Sequence, residues 1–161
     1  MRSLLVFLTI AFESAQAGDI VNSSDRVVRL LYRDYAWEVL FAKSDFVELI
    51  DQSSEELSKY FAPRLVELLE KDRICRGKTG DACHLDFDPI YASQDRGSVN
   101  SLSINLTHDG SGVNVRFRQS ALMLSELTFK VVLTASGWRV DDILYKDKKT
   151  SLVDILVGAA K

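Results

Sequence analysis

The sequence predicts an α+β domain, in which N-terminal helices pack on one face of an antiparallel sheet and a short helix follows. Two observations carry this prediction: apolar residues recur at helical spacing in the first half, and they alternate with polar residues after residue 98. Turn sequences link consecutive alternating runs, which is the pattern of a meander with one solvated face. The chain has 161 residues, a net charge of −3 and 47% hydrophobic residues, and these values are typical of one globular domain.

The first helix is predicted to run from an N-cap at Ser24 to about Phe41. Apolar residues lie three and four positions apart on one side of it, and arginines line the opposite side. The inward positions are Val28, Leu31, Tyr35 and Val39.

Two further helices are predicted before the alternating region. Ser53 and Glu56 fit a capping box, which starts the second helix. Pro63 is tolerated in the first turn of a helix and opens the third, whose apolar residues run up to Cys75. Residues 76–82 are rich in turn formers, so we expect a loop there.

Four strands are predicted after residue 98. The first two cover residues 102–106 and 113–118 and are joined by a turn that contains Asp-Gly. The next two cover about 125–135 and 138–145 and are joined by a Ser-Gly turn. Consecutive turn-linked strands predict an antiparallel meander.

The end of the chain combines the last strand with a short helix. Trp138 precedes the apolar residues Val140 and Ile143, so we expect its ring to be buried between sheet and helices. Ser151 and Asp154 fit the cap of a terminal helix.

The first 17 residues have the layout of a secretory signal peptide. A positively charged start precedes nine mostly apolar residues, and Ala-Gln-Ala before Gly18 is a small-x-small cleavage site. A membrane span needs about 20 apolar residues, so this segment is too short to be an anchor. We therefore predict a signal peptide over residues 1–17, one domain over 18–161, a periplasmic or secreted location and no stable membrane anchor.

The two cysteines, Cys75 and Cys83, bracket a stretch that contains two glycines. In an oxidising compartment such a pair most simply forms a disulfide. The spacing is wider than that of usual zinc ligands or of a redox Cys-x-x-Cys motif. We predict a structural disulfide and no metal site at this pair.

Two segments give the chain a family resemblance. Residues Gly137–Tyr145 read Gly-Trp-Arg-Val-Asp-Asp-Ile-Leu-Tyr, and residues Leu85–Asp95 contain Asp-x-Asp-Pro followed by Gln-Asp. With the helices before them, they resemble a bacterial periplasmic family of unknown function within the nuclear-transport-factor-2-like (cystatin-like α+β) superfamily. The resemblance covers about residues 25–145. It implies a curved, cone-like sheet with a pocket between sheet and helices, and it implies no particular activity.

The candidate functional residues cluster in the same polar segment, and they are His84, Asp86, Asp88, Tyr91 and Asp95. One interpretation is structural, because Asp often bonds turn backbone. Others are a surface that binds a partner or ligand, an Asp acting as a base with help from His84, and a hard-cation site. We predict partner or ligand binding, with no catalytic residue, no metal and no cofactor.

Composition and motifs narrow the function to two classes. The net charge of −3 argues against a protein that binds nucleic acid, and the sequence contains no phosphate-binding or hydrolase motif. We expect a non-catalytic exported interaction protein, such as an immunity protein that binds and neutralises a periplasm-targeted toxin. The alternative is a small-ligand-binding protein or enzyme whose pocket between sheet and helices would be lined by Tyr32, Tyr35, Trp37 or Trp138. A homodimer is left open.

Overall fold

Four helices and a five-stranded antiparallel sheet form the part of the chain that the computed structural model describes, residues 23–35, 47–94, 99–119 and 124–159. The helices are α1 (Asp25–Tyr35), α2 (Ser54–Leu57), α3 (Pro63–Thr79) and α4 (Leu152–Leu156), and Leu49–Asp51 forms one 3₁₀ turn. The predicted α+β class is confirmed. The signal peptide predicted for residues 1–17 lies outside the described residues.

The strands follow one another across the sheet in chain order. They are β1 (Asn100–Leu106), β2 (Gly112–Arg118), β3 (Leu124–Thr134), β4 (Gly137–Tyr145) and β5 (Thr150–Ser151). Every neighbouring pair is antiparallel, so the predicted meander is confirmed. The two-residue β5 is a further strand that was not predicted from the sequence.

Local sequence signals account for the ends of several helices. Ser53 Oγ accepts the Glu56 N–H at 3.2 Å, as the predicted cap requires. Pro63 occupies the first turn of α3, and Ser151 Oγ accepts the Asp154 N–H at 3.1 Å before α4. Helix α1 begins at Asp25; its predicted extension to Phe41 lies outside the described residues.

The loop predicted for residues 76–82 is wrong in its first half. Helix α3 continues through Thr79, and Gly80 ends it with a φ of 76°. Glycine adopts this left-handed conformation without a steric penalty, and its N–H bonds the Arg76 carbonyl. The helix therefore extends past Cys75. The predicted disulfide to Cys83 is confirmed, with Cα atoms 6.1 Å apart.

Aromatic rings fill the space between the helices and the sheet. Tyr32 of α1 packs edge-on against Phe129 of β3 and against Tyr91, with ring centroids 5.9 and 5.8 Å apart. Tyr35 of α1 is also buried, against Tyr60. These tyrosines are part of the core, where edge-to-face contacts add to the free energy of burial.

Trp138 is only half-buried and packs against the core, so the prediction that its ring is buried between sheet and helices is confirmed only in part. It pairs with Leu133, whose side chain is 64% exposed, at the end of the β3–β4 hairpin. A register shift after Lys130 places an extra residue in β4 between Val140 and Asp142, which is a β-bulge.

Within the described residues, no helix is both long and apolar enough to span a bilayer.

Candidate functional site: an acidic cleft beside the disulfide

A tight turn forms the centre of the predicted polar segment. The Asp88 N–H donates to the Ser93 carbonyl at 2.9 Å, and the Ala92 N–H donates to the Asp88 carbonyl at 2.8 Å. Ala92 has a φ of 53°, a conformation that is uncommon for a residue with a side chain. The chain thus reverses direction between Asp88 and Ser93.

Two buried tyrosine hydroxyl groups hold this turn on the core. Tyr32 Oη donates to the Ile90 carbonyl, and Tyr145 Oη donates to the Pro89 carbonyl at 3.1 Å. Because these bonds satisfy buried polar groups on both sides, breaking either one would leave an unpaired group in the core. The turn therefore has a fixed position relative to the sheet.

A buried carboxylate holds the start of the segment against α3. Asp72 Oδ1 accepts the N–H groups of His84 and Leu85 at 2.9 and 3.3 Å, and its Oδ2 pairs with Arg76 at 3.1 Å. The Cys75–Cys83 disulfide joins the same two parts of the chain. Asp72 thus positions the polar segment without contacting solvent.

A cleft of about 780 Å³ lies between the end of α3, the 3₁₀ turn and the polar segment. The acidic residues that line it outnumber the basic ones by five to two. Both basic side chains form internal ion pairs, Arg73 with Glu70 at 2.5 Å and Arg76 with Asp51 at 2.8 Å. The acidic lining residues are Glu48, Asp51, Asp81, Asp86 and Asp88.

Asp88 is only partly exposed, whereas Asp51, Asp81 and Asp86 of the same cleft are exposed. Its Oδ1 accepts the N–H groups of Ile90 and Tyr91 at 2.9 and 3.3 Å. No described residue donates a hydrogen bond to its Oδ2. Burial raises the pKa of Asp88 to about 6, although the two backbone hydrogen bonds act in the opposite direction. The group is therefore mostly ionised at pH 7 and takes up its proton as the pH falls through about 6.

The predicted site residues separate into exposed and buried groups. Asp86 is exposed and accepts a hydrogen bond from Gln94 at 2.8 Å, and His84 is exposed beside Gly158. Tyr91 is only 4% exposed and packs edge-on against Phe117, so its ring belongs to the core. Asp86, Asp88 and Tyr91 line the cleft, whereas His84 does not. Asp95 lies outside the described residues.

Several residues of the site were not predicted from the sequence. Asp51 and Arg76 are 25 positions apart, and only the tertiary structure brings them together. Asp72 did have a local signal, because it continues the inward stripe of Leu65 and Leu69 on α3. A charged residue on such a stripe indicates a buried carboxylate with backbone partners.

The metal interpretation of the polar segment has no geometric counterpart in the described part of the chain. There, no three His, Cys, Asp or Glu side chains are arranged to hold a metal ion. What the site offers chemically is a set of carboxylates, one of them partly desolvated, that can accept hydrogen bonds from a cation.

Together the fold and the site define an α+β domain with an acidic cleft beside a disulfide. Comparison with models of known families, with curated proteins and with solved structures finds no match. The resemblance to the nuclear-transport-factor-2-like superfamily therefore stays a prediction from the sequence.

Proposed function

We propose that this protein is a non-catalytic, exported interaction protein that binds a positively charged side chain of a partner protein in the acidic cleft. The form that we favour is an immunity protein, which occludes a toxin delivered into the periplasm. The observation that carries the proposal is the Asp88 carboxyl, which borders the cleft with one oxygen that accepts no hydrogen bond from a described residue.

The energetics of Asp88 support a binding role over a purely structural one. As a turn residue it needs only one acceptor oxygen for the Ile90 and Tyr91 N–H groups, and a neutral asparagine would supply the same acceptor. Ionised aspartate adds a desolvation cost, which its raised pKa reflects. Carboxyl groups with such shifts are typical of functional sites. A partner's arginine or lysine would offset that cost by pairing with the charge.

The rigidity of the cleft supports tight binding. Tyr32 and Tyr145 hold the turn from below, and Asp72 and the disulfide hold its start. A preorganised surface loses little conformational entropy on association. The excess of carboxylates would also steer a basic partner toward the cleft and increase the association rate.

Peptide binding tests the proposal directly. We would measure the anisotropy of a fluorescent tetra-arginine peptide titrated with the protein at pH 7.5 and low salt, with tetra-glutamine as the neutral probe. Asp88→Asn should weaken tetra-arginine binding about tenfold or more, since it removes one partner of a desolvated charge pair. The matched control is Glu67→Gln, which removes an exposed charge that pairs with Lys71 on α3.

The pH dependence provides a second measurement. Binding should weaken as the pH falls through about 6, because Asp88 takes up a proton there while arginine keeps its charge. Equal losses for Asp88→Asn and Glu67→Gln would refute the proposal, because they would indicate nonspecific attraction to the protein's net charge.

A cellular assay addresses the immunity function. The gene adjacent to this one would be expressed in the periplasm, with or without the protein. Protection from toxicity that Asp88→Asn weakens and Glu67→Gln leaves intact would support neutralisation of a toxin. Toxicity that the protein never relieves would rule out this neighbour as its target.

A small cationic molecule is the second candidate ligand. The cleft volume of about 780 Å³ lies within the roughly 300–1,000 Å³ of small-molecule pockets. Argininamide that binds as tightly as tetra-arginine would favour the small-ligand-binding protein or enzyme. Binding that grows with peptide length would favour a protein partner.

A further inference from the structure

A second cavity lies where the β3–β4 hairpin meets the start of α3. We call it the hairpin groove; it has a volume of about 500 Å³ and is lined by residues within 54–70 on one side and 134–139 on the other. Two backbone hydrogen bonds join these sides: the Val140 N–H donates to the Tyr60 carbonyl, and the Ala62 N–H donates to the Val140 carbonyl, both at 2.8 Å. The hairpin therefore has a fixed position relative to α3.

Arg139 of β4 brings a positive charge to the hairpin groove. Its Nε donates to the Ser58 carbonyl at 2.7 Å, and its Nη1 donates to the Trp138 carbonyl at 2.8 Å. Neither acceptor carries a net charge, and Arg139 forms no ion pair within the described part of the chain. Its Nη2 group and one hydrogen of Nη1 have no acceptor among the described residues. The guanidinium is thus held in place, its charge is not compensated, and it has N–H groups left to bind an anion.

Two glutamates also line the hairpin groove, but each is paired with a basic residue of α3. Glu67 accepts from Lys71 at 2.6 Å, and Glu70 accepts from Arg73 at 2.5 Å. Because each of these pairs is neutral overall, the charge that remains at the groove is that of Arg139. An arginine favours a carboxylate or phosphate group, which its planar guanidinium binds through two parallel hydrogen bonds.

The apolar part of the lining indicates that the anion carries an apolar group. Phe61 and Val66, both buried, and exposed Pro63 line the hairpin groove. An inorganic ion gains nothing from these carbon atoms, whereas an alkyl or aryl group is removed from water when it packs against them. The lining therefore favours an organic anion over an inorganic one.

We propose that the hairpin groove binds a small organic carboxylate. The carboxylate group accepts hydrogen bonds from Arg139, and the alkyl or aryl group packs on Pro63, Phe61 and Val66. The volume of about 500 Å³ is within the roughly 300–1,000 Å³ of small-molecule pockets. The groove shares no lining residue with the acidic cleft, so this inference goes beyond the proposed function and does not depend on it.

An NMR titration of ¹⁵N-labelled protein at pH 7.5 tests the class of ligand. The probe is phenylacetate; phenylacetamide has the same ring without the charge, and acetate has the charge without the ring. Phenylacetate should shift the amide signals of Ser58, Ser136 and Arg139 and bind about fivefold or more tightly than either control. These measurements use the unaltered protein, so they test the proposal whether or not a variant folds.

A charge variant tests the role of Arg139. Arg139→Gln keeps a donor for the Ser58 carbonyl and removes the charge, so it should weaken phenylacetate binding about fivefold or more and leave phenylacetamide binding unchanged. The matched control is Arg64→Gln, which removes the same charge from an exposed residue of α3 outside the groove and should leave binding unchanged. Melting temperatures of both variants are measured in parallel.

Three results would overturn the proposal. The first is no shift of the groove amide signals at tens of millimolar phenylacetate. The second is phenylacetate binding that is no tighter than that of acetate or phenylacetamide. The third is an equal loss for Arg139→Gln and Arg64→Gln, which would indicate a general attraction to positive charge instead of a site.

Discussion

The Asp88→Asn substitution is expected to stabilise the protein at neutral pH. Asparagine keeps the acceptor oxygen for the Ile90 and Tyr91 N–H groups and removes the charge that burial disfavours. The pKa of Asp88 rises from its ordinary value of 3.8 to about 6. Each pKa unit corresponds to about 1.4 kcal/mol, so this shift of roughly two units sets a ceiling of about 3 kcal/mol.

The direction in which stability changes with pH follows from proton binding by Asp88. A carboxyl with a raised pKa in the folded state binds its proton more tightly when folded. The Asp88 contribution to stability is therefore present at pH 4 and is lost as the pH rises from about 4 to about 6. Above about pH 6 Asp88 is ionised in the folded state, and the cost of burying its charge lowers the free energy of unfolding in full. Asp88→Asn should match the unaltered protein near pH 4 and exceed its free energy of unfolding by about 1–3 kcal/mol at pH 7.5.

Guanidinium chloride unfolding at pH 4.0 and pH 7.5, followed by tryptophan fluorescence, measures this difference. Hydrogen bonds and ion pairs lower the pKa values of other carboxyl groups, such as Asp25 and Asp34, so these groups change the stability with pH in the opposite direction. Comparing the two proteins at the same pH cancels these contributions. Asp88→Ala is the control, because it also removes the acceptor; it should be less stable than Asp88→Asn by about 1–3 kcal/mol. If Asp88→Asn is less stable than the unaltered protein at pH 7.5, or the difference does not vary with pH, the reasoning is refuted.

Three further predictions concern the support of the cleft and the hairpin end. Cys83→Ser should lower the free energy of unfolding by about 2–3 kcal/mol and leave the fold intact, because the closed loop is short; thiols that titrate in the oxidised protein would contradict the disulfide. Asp72→Ala should cost about 1–3 kcal/mol and also weaken tetra-arginine binding, because the His84 and Leu85 N–H groups lose their acceptor; unchanged stability and binding would show that Asp72 does not position the segment. Trp138→Ala should accumulate as folded protein with a lower melting temperature, because the side chain is half-buried; loss of all folded protein would indicate a fully buried ring.

Most of the fold was predictable because its signals are local. Alternation of apolar and polar residues identifies a strand wherever one face is buried, and Val113, Val115 and Phe117 of β2 fit that rule completely. Hydroxyl side chains that cap helix N-termini act within three residues, which is why Ser53 and Ser151 marked their helices correctly. The disulfide was also predictable, because the chain contains a single pair of cysteines.

The candidate site was predictable only in part. The sequence identified the polar segment, but it could not separate exposed Asp86 from desolvated Asp88, because burial depends on what packs above the turn. Tyrosine is common among the residues that dominate binding energies, and Tyr91 was predicted to bind a partner or ligand. Its ring instead packs against Tyr32 and Phe117. Which side of a turn faces the core is decided by distant residues.

By itself, the sequence determined the order and type of the elements, because hydrogen bonding and apolar spacing operate within a few residues. Only the tertiary structure decided that Arg76 meets Asp51 across 25 positions and that Tyr32 donates to Ile90 across 58. The β-bulge after Val140 likewise depends on how β4 registers with β3. Such pairings form when apolar side chains from distant parts of the chain are buried together. They determine how far the Asp88 carboxyl is buried, and burial raises its pKa.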